Sequence, residues 1–446
     1  MQKTIICLML LPLLLVTSKV EAESVDLQEA LAAAVAQRPM AEVARQQAAG
    51  ARAAVTEARS GYLPHLNLKE SYQATNEPGG SLFISLNQER LVLSPTADPY
   101  NHPETRHDFE TRLTLEQSLY NPDVGYGLDR ARAGYRAASA LAGWTEEQAA
   151  FAAFAAYLEV QQTQAELAAV ESSLGEARET LRLAEEREAN GLGLRSDTLQ
   201  ARVRLAEAER RRLSSANDLQ LARRRLALAM GREGGEVTIA RPLEAADLPV
   251  DAASVPQPRG DLQSALAEAE AAELARRQSR AGYLPRLGVT ASYAWHDPDL
   301  PFGTEAASWQ VGAGLTWELF DGLRRSGSVN RTAAQQRAAR FQAEELRRAV
   351  ALQTREAELR ASEAELQRDS AQAAVAAAEE SQRLLLQRYE NGLSPLSDLL
   401  AAQAALDQAR SALVRASGRM LLARGNVQLQ KGLFLKNMLP GKEVQP

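Results

Sequence analysis

Residues 60–72 read SGYLPHLNLKESY, and residues 281–293 read AGYLPRLGVTASY. This near-repetition is one landmark of several. Arg38 precedes the first phrase as Arg259 precedes the second. Downstream, Leu119-Tyr120-Asn121 is matched by Leu319-Phe320-Asp321, and NGLGLRSDTL (190–199) by NGLSPLSDLL (391–400). Paired landmarks in one order mean that a single unit has been duplicated. The interval between partners shortens from the GYLP pair to the next, so the first half carries an insertion between Tyr72 and Leu119.

After each GYLP the side chains alternate. In the second half Leu287, Val289, Ala291, Tyr293 and Trp295 alternate with Gly288, Thr290, Ser292 and Ala294. Then Trp309, Val311, Ala313, Leu315, Trp317 and Leu319 alternate with Gln310, Gly312, Gly314, Thr316 and Glu318. The first half does this with Leu66, Leu68 and Tyr72, and again with Phe109, Leu113, Leu115 and Leu119 against Glu110, Arg112, Thr114 and Glu116. A period of two is strand periodicity with one apolar face. It predicts strands over about 65–76, 107–120, 286–296 and 308–320. Their length suits a tilted bilayer crossing. Tyr62, Tyr120, Tyr283, Trp295, Trp309 and Phe320 fall near strand ends, where a membrane interface favours aromatics. Half-buried hairpins of a soluble sandwich carry the same alternation.

The rest is rich in the strong helix formers Ala, Leu, Glu, Arg and Gln. Long helices are expected over about 122–190 and 197–230, and again over 322–391 and 398–431. Leu167, Val170, Leu174 and Leu181 are spaced like a heptad seam, as are Leu352, Leu359 and Leu366. In the return helices Leu399, Leu406, Leu413 and Met420 run beside Ala402, Ala409 and Ala416, and Leu199, Ala206 and Leu213 keep the same spacing. Asn190-Gly191 and Asn391-Gly392 suit the left-handed conformation that ends a helix. The first unit thus spans 23–230 and the second 261–431, with a Pro/Gly-rich linker at 231–260 and a non-periodic tail at 432–446.

Residues 1–22 read as a signal peptide: Lys3, an apolar run from Ile5 to Val16, then Val20-Glu21-Ala22. The run is short for a membrane anchor. Cys7, the only cysteine, lies inside it and lacks the setting of a lipidation site, so the mature chain has no thiol. A net charge of −6 with no basic block argues against nucleic acid. No nucleophile–base motif, phosphate loop or dinucleotide fingerprint is present, so neither an enzyme nor a cofactor is expected. His65, His102, His107 and His296 are scattered; His102, His107 and Asp108 lack a recognised metal-ligand spacing and read as a polar outer loop. In the insertion, SLFISLNQERLVLSP (81–95) is apolar enough to fold over the mouth of a barrel.

Four strands leave two open edges, and unpaired backbone groups in lipid are prohibitively costly. Strands that enter a bilayer must therefore be completed by other copies, and a seam of leucine and alanine needs a partner helix. Such an object conducts.

The duplicated strand–strand–long helix–NG turn–helix plan, with GYLP before the strands and NGLxxxSDxL at the helical tip, resembles the TolC family of outer-membrane efflux proteins across essentially the whole mature chain. The resemblance implies a mainly α fold with membrane β: a homotrimer with four strands per protomer, closing a twelve-stranded β-barrel continued by an α-helical periplasmic tunnel. It implies a place in the outer membrane of a Gram-negative bacterium, with most of the mass in the periplasm. It further implies an exit duct that meets a periplasmic adaptor (membrane fusion) protein and an inner-membrane pump of RND, ABC or MFS type, or a type I secretion exporter. A mature N-terminus without cysteine resembles the non-lipidated branch.

Carried over residue by residue, the family's periplasmic gate falls on Asp197, Asp398 and Tyr389, and its adaptor-docking tips on Asn190, Gly191, Leu192, Asn391, Gly392 and Leu393. The chain departs from the pattern where Ala401 and Ser394 replace an acidic and a basic residue, and where Glu188 stands opposite Tyr389. Ser196-Asp197 and Ser397-Asp398 are also suited simply to cap the return helices. A periplasmic coiled-coil adaptor or scaffold without a channel is the alternative reading.

Overall fold

In a computed structural model, residues 23–248 and 258–439 are described. The expected signal peptide (1–22), part of the linker (249–257) and the end of the tail (440–446) lie outside them. In chain order the elements are β1 (Glu23–Val25), α1 (Leu27–Gln37), α2 (Pro39–Ser60), β2 (His65–Thr75), α3 (Pro78–Asn87), α4 (Asp98–Asn101), β3 (Arg106–Tyr120), α5 (Pro122–Ala189), α6 (Arg195–Ala229) and β4 (Val237–Ile239). They continue with α7 (Gly260–Ala281), β5 (Arg286–Asp297), β6 (Ala306–Thr316), α8 (Arg324–Glu390), α9 (Leu396–Gln430) and α10 (Phe434–Met438). Two compact units divide the chain. A strand unit holds the described residues of Val43–Thr145 and Gln257–Gln353, and a helical unit holds those of Met1–Glu42, Glu146–Pro256 and Thr354–Glu443.

In the strand unit the two GYLP phrases are the same turn. Tyr62 N–H donates to Arg59 O and Leu63 N–H to Ser60 O, and Tyr283 and Leu284 repeat this with Arg280 and Ala281. Pro64 and Pro285 then force the chain out of helical geometry, and strands start at the next residue. The carbonyl of each tyrosine accepts a side-chain N–H from the returning segment: Gln117 Nε2 to Tyr62 O at 2.9 Å, and Trp317 Nε1, just past the end of β6, to Tyr283 O at 3.1 Å. The phrase is written twice because the same helix-to-strand corner is built twice.

The four strands form one antiparallel sheet in the order β2-β3-β5-β6. Register sorts their side chains into two faces. Leu68, Leu113, Tyr293 and Trp309 stand in one row, and Leu66, Leu115, Ala291 and Val311 in the next. On the opposite face the rows are Asn67, Thr114, Ser292 and Gln310, then Lys69, Arg112, Ala294 and Ser308. The apolar face is uncovered: Leu66 is 63% exposed, Trp309 75% and Leu315 65%. Strands β2 and β6 are open edges. The last expected strand stops at Thr316, short of residue 320. Beyond it Gly322 and Leu323 take positive φ as the chain turns into α8.

The helical unit holds most of the buried core. Leu399, Leu406 and Met420 are buried beside Ala402 and Ala416, so the α9 seam lies inside. The α6 seam does not. Leu199 and Leu213 are exposed, and α6 buries Thr198, Ala201, Arg204 and Ala208 instead. Leu352, Leu359 and Leu366 of α8 are likewise exposed, while Ala357 and Ala364 are buried. Heptad spacing fixes the period of a seam but not which face finds its partner within one chain.

Three further differences stand out. Helices α1, α2 and α7 precede the strand pairs without any leucine seam. The linker contributes β4, which pairs in parallel with β1. The tail begins as α10, whose Phe434 is fully buried with its ring centroid 5.4 Å from those of both Phe151 and Phe154.

Candidate functional site: the two helical tips

Each outbound helix ends in the same way. Gly191 and Gly392 both take φ of 72°. Leu192 N–H reaches back to Arg187 O at 2.8 Å, and Leu393 N–H to Arg388 O at 2.8 Å. These long closing bonds satisfy carbonyls that a helix end leaves free, and a glycine accepts the left-handed residue without strain. The return helices then start at Arg195 and Leu396. Their N-caps are Leu194 and Pro395, and neither has a side-chain cap bond. The capping reading of the Ser-Asp pairs is therefore corrected. Ser196, Asp197, Ser397 and Asp398 lie inside the first turn, where a carboxylate meets the positive end of the helix dipole.

Beneath the turns, Tyr389 is buried with Ala184, Ala201, Leu396 and Leu399, and Leu181, Leu386 and Leu400 pack around them. One small core thus joins all four helices of the tips. The Tyr389 hydroxyl is buried without a hydrogen-bond partner. Burial pushes its phenol above the ordinary value, the nearby Asp197 charge adds to this, and Arg187 opposes it. Asp197 is half-buried, whereas Asp398 is exposed. The fold therefore brings Tyr389 and Asp197 into electrostatic contact and leaves Asp398 on the surface.

Two functional groups escape the sequence reading. Arg187 ties the tips together: its guanidinium lies 5.1 Å from the Tyr389 ring centroid, and its Nη1 donates to Glu390 O at 2.9 Å. Its equivalence to Arg388, each followed by the Glu188 or Tyr389 position, was the available signal. Glu188 accepts from Arg195 Nη1 at 3.1 Å and from Thr198 Oγ1 at 2.5 Å. These bonds hold its carboxyl below the usual range, the Thr198 bond contributing most. The second missed group is a buried ionic node behind the tips. Asp407 pairs with Arg204, with Arg211 Nη1 at 3.2 Å, and accepts from Ser173 Oγ at 2.5 Å. It joins α5, α6 and α9.

The expected docking residues Asn190, Gly191, Leu192, Asn391, Gly392 and Leu393 are all exposed, Leu192 at 72% and Leu393 at 68%. Beside the second tip a groove of about 570 Å³ is lined by Ser381, Leu384, Arg388, Asn391 and Leu393, among others. Among the described residues no group of acidic, histidine or cysteine side chains could hold a metal ion, and no helix is long and apolar enough to cross a membrane.

The profile of the family described as outer membrane efflux protein matches residues 30–232 and 255–431. No curated protein matches the chain. Solved structures do share its fold. CusC, studied for folding and transmembrane channel formation, is 16% identical, with 92% of this chain and 93% of CusC covered at a TM-score of 0.78. The outer membrane protein VceC of Vibrio cholerae is 19% identical, with 91% and 96% covered at 0.75. The open state of the MtrE outer membrane channel of Neisseria gonorrhoeae is 17% identical, with 94% and 91% covered at 0.73. The family match spans most of the sequence, and so the chain belongs to the outer membrane efflux protein family and serves efflux at the outer membrane.

Proposed function

We propose that three copies of this chain close one twelve-stranded barrel and form the exit duct of a tripartite efflux pump or type I secretion system, a conduit and not an enzyme. The observation that carries this reading is the sheet. It has two open edges, β2 and β6, and a mainly apolar face on which Leu66, Leu68, Trp309, Val311 and Leu315 are left exposed. A free edge and a bare apolar face are both expensive in water, and an open edge is worse in lipid. Closure by copies removes both problems, with the polar rows lining a wet lumen. The exposed leucine rows of α6 and α8 support the same conclusion, because a seam without an intrachain partner fits a partner from the next copy. Each half, 23–230 and 261–431, acts as one of two equivalent units in this barrel.

At the tips, Tyr389, Asp197 and Asp398 form the periplasmic gate, with Tyr389 packing the closed state and the carboxylates facing the passage. The exposed Asn190–Leu192 and Asn391–Leu393 turns receive the periplasmic adaptor, and the adaptor links the duct to an inner-membrane pump. The test is to extract the protein from outer membranes in detergent. Unheated electrophoresis should show a species three times the boiled mass, and planar bilayers should show discrete conductance steps. A detergent-indifferent monomer without conductance would sink the proposal.

A further inference from the structure

Two connections leave the sheet at the end away from the GYLP corners: 76–105 between β2 and β3, and 298–305 between β5 and β6. The first contains α3, and α3 is amphipathic the wrong way round. It buries Ser81, Ser85 and its cap residue Gln88, together with Ile84. Phe83 is 65% exposed and Leu86 46%. A helix lying on a protein surface ordinarily turns its apolar stripe inward. The inversion is held in place by polar bonds. Gln88 Nε2 donates to His107 O at 2.7 Å and to Asp108 Oδ1 at 3.0 Å. Asp108 Oδ2 in turn lies 2.9 Å from His296 Nδ1, and both side chains are buried. Just past α3, Arg90 grips both carboxylate oxygens of Glu305 at 2.6 Å.

The anchor shows which face α3 occupies. His296 stands opposite Glu110 in the β3–β5 register, and Asp108 lies two residues along from Glu110. Both therefore belong to the polar face, with Arg112, Thr114 and Ser292. The other connection leans on the opposite face, where Phe302 N–H donates to Glu70 Oε1 at 3.3 Å.

We infer that α3 is an inward-folded lid at the outer mouth, whose Phe83–Leu86 face is covered by the same face of the other two copies around the barrel axis. This rests on the trimeric channel reading above. The closure that joins β2 of one copy to β6 of the next turns the polar face, and α3 with it, toward the symmetry axis. A water-filled lumen is a poor place for bare Phe83 and Leu86, and three copies meeting there remove them from water. Ser81 and Gln88 fit the same picture, because their bonds to Thr75 O, His107 O and Asp108 hold the helix to the strand ends and leave its apolar side for the axis.

The experiment uses the full chain in outer membranes. The sequence reading leaves the mature chain without cysteine, so Phe83→Cys places one thiol per copy. Oxidation should link Phe83→Cys protomers into disulfide dimers within the trimer, while Leu300→Cys, on the other connection, should give none. In a second measurement, Phe83→Ser/Leu86→Ser is compared with the parent in planar bilayers, both carrying Tyr389→Ala so that the tips do not limit the current. Conductance should rise about two-fold as the hydrophobic constriction is lost. Intact trimers with no Phe83→Cys link and unchanged conductance would overturn the lid and leave the channel standing. A monomer indifferent to lipid would overturn both.

Discussion

At the first tip Glu188 stands two residues before the turn's asparagine, and at the second Tyr389 stands there. The turns themselves are superimposable in kind, with the same positive-φ glycine and the same long closing bond. Their contents divide the work. Tyr389 points into the four-helix core and is touched by Arg187 of the other hairpin. Glu188 is not part of that core and binds within its own hairpin, through Arg195 and Thr198. A carboxylate in the tyrosine's place would lose its hydration without a matching partner. One tip therefore joins the hairpins, and the other braces itself. On the gate proposed above, opening would free the second tip.

Tyr389→Ala should break the comparison most. Emptying a buried aromatic site costs about 3–5 kcal/mol. Hydrogen exchange should accelerate through 384–402 and through the facing part of α6, and bilayer conductance should rise. Tyr389→Phe should be neutral or slightly stabilising, because the hydroxyl it removes is buried and unpartnered. If Tyr389→Ala leaves exchange at Ala201 unchanged, the shared core is not what joins the hairpins.

Asp407→Asn comes next. Arg204 is 8% exposed and would be left with an uncompensated charge, a loss of about 3 kcal/mol. The urea midpoint should fall, and Arg204→Leu/Asp407→Leu should recover much of it. A double variant as unstable as the single one would show that the node contributes more than charge balance. The place equivalent to Asp407 in the first return helix is Ala206, so this brace belongs to the pair of hairpins and not to each unit separately.

The strand pairs and the helical tips were legible because their signals are local. Alternation sorts a sheet face residue by residue, and an Asn-Gly after a long helix demands the left-handed turn that is present. What escaped was set by phase and by distant partners. Leu199 and Leu213 keep heptad spacing but face out, because Ala201 and Ala208 let the neighbouring backbone approach on the other side. Helix α3 could not be placed by amphipathicity, since it buries serines. Arg187, Asp407 and Phe434 find their partners far along the chain, Glu390, Arg204 and Phe154 among them, and no local pattern announces such pairs.

Arg187→Lys should sharpen the comparison with a smaller effect, about 1 kcal/mol. Lysine keeps the charge but not the planar fork that stacks on Tyr389 while bonding Glu390 O. Exchange at 390–394 should speed up. Arg388→Lys, the equivalent change at the other tip, should do nothing, since among the described residues no such clamp extends from it.

The smallest expected effect is that of pH on the first tip, and its sign follows from Glu188. A carboxyl held below its ordinary value stabilises the folded state above the unfolded value of about 4.3, and that contribution fades as pH falls through the lower folded value. Between pH 8 and 5 the Glu188 brace should therefore be constant. The Tyr389 phenol, raised by burial, stays neutral over the same interval. Elsewhere in the helical unit the sign is opposite. Burial pushes Glu147 up to about 7, and its Oε2 has no partner. Its neutral form is tolerated at low pH, and stability is lost as pH rises from the unfolded value of about 4.3 to about 7, the interval in which only the unfolded chain is ionised. The melting temperature should thus fall from pH 5 to about 7 and level off above it, and Glu147→Gln should flatten the fall. In that background, Glu188→Gln should change exchange at Arg195–Thr198 and leave it unchanged around Leu396. Coupled changes at both places would mean that the two tips open together, against the division of labour drawn from their side chains.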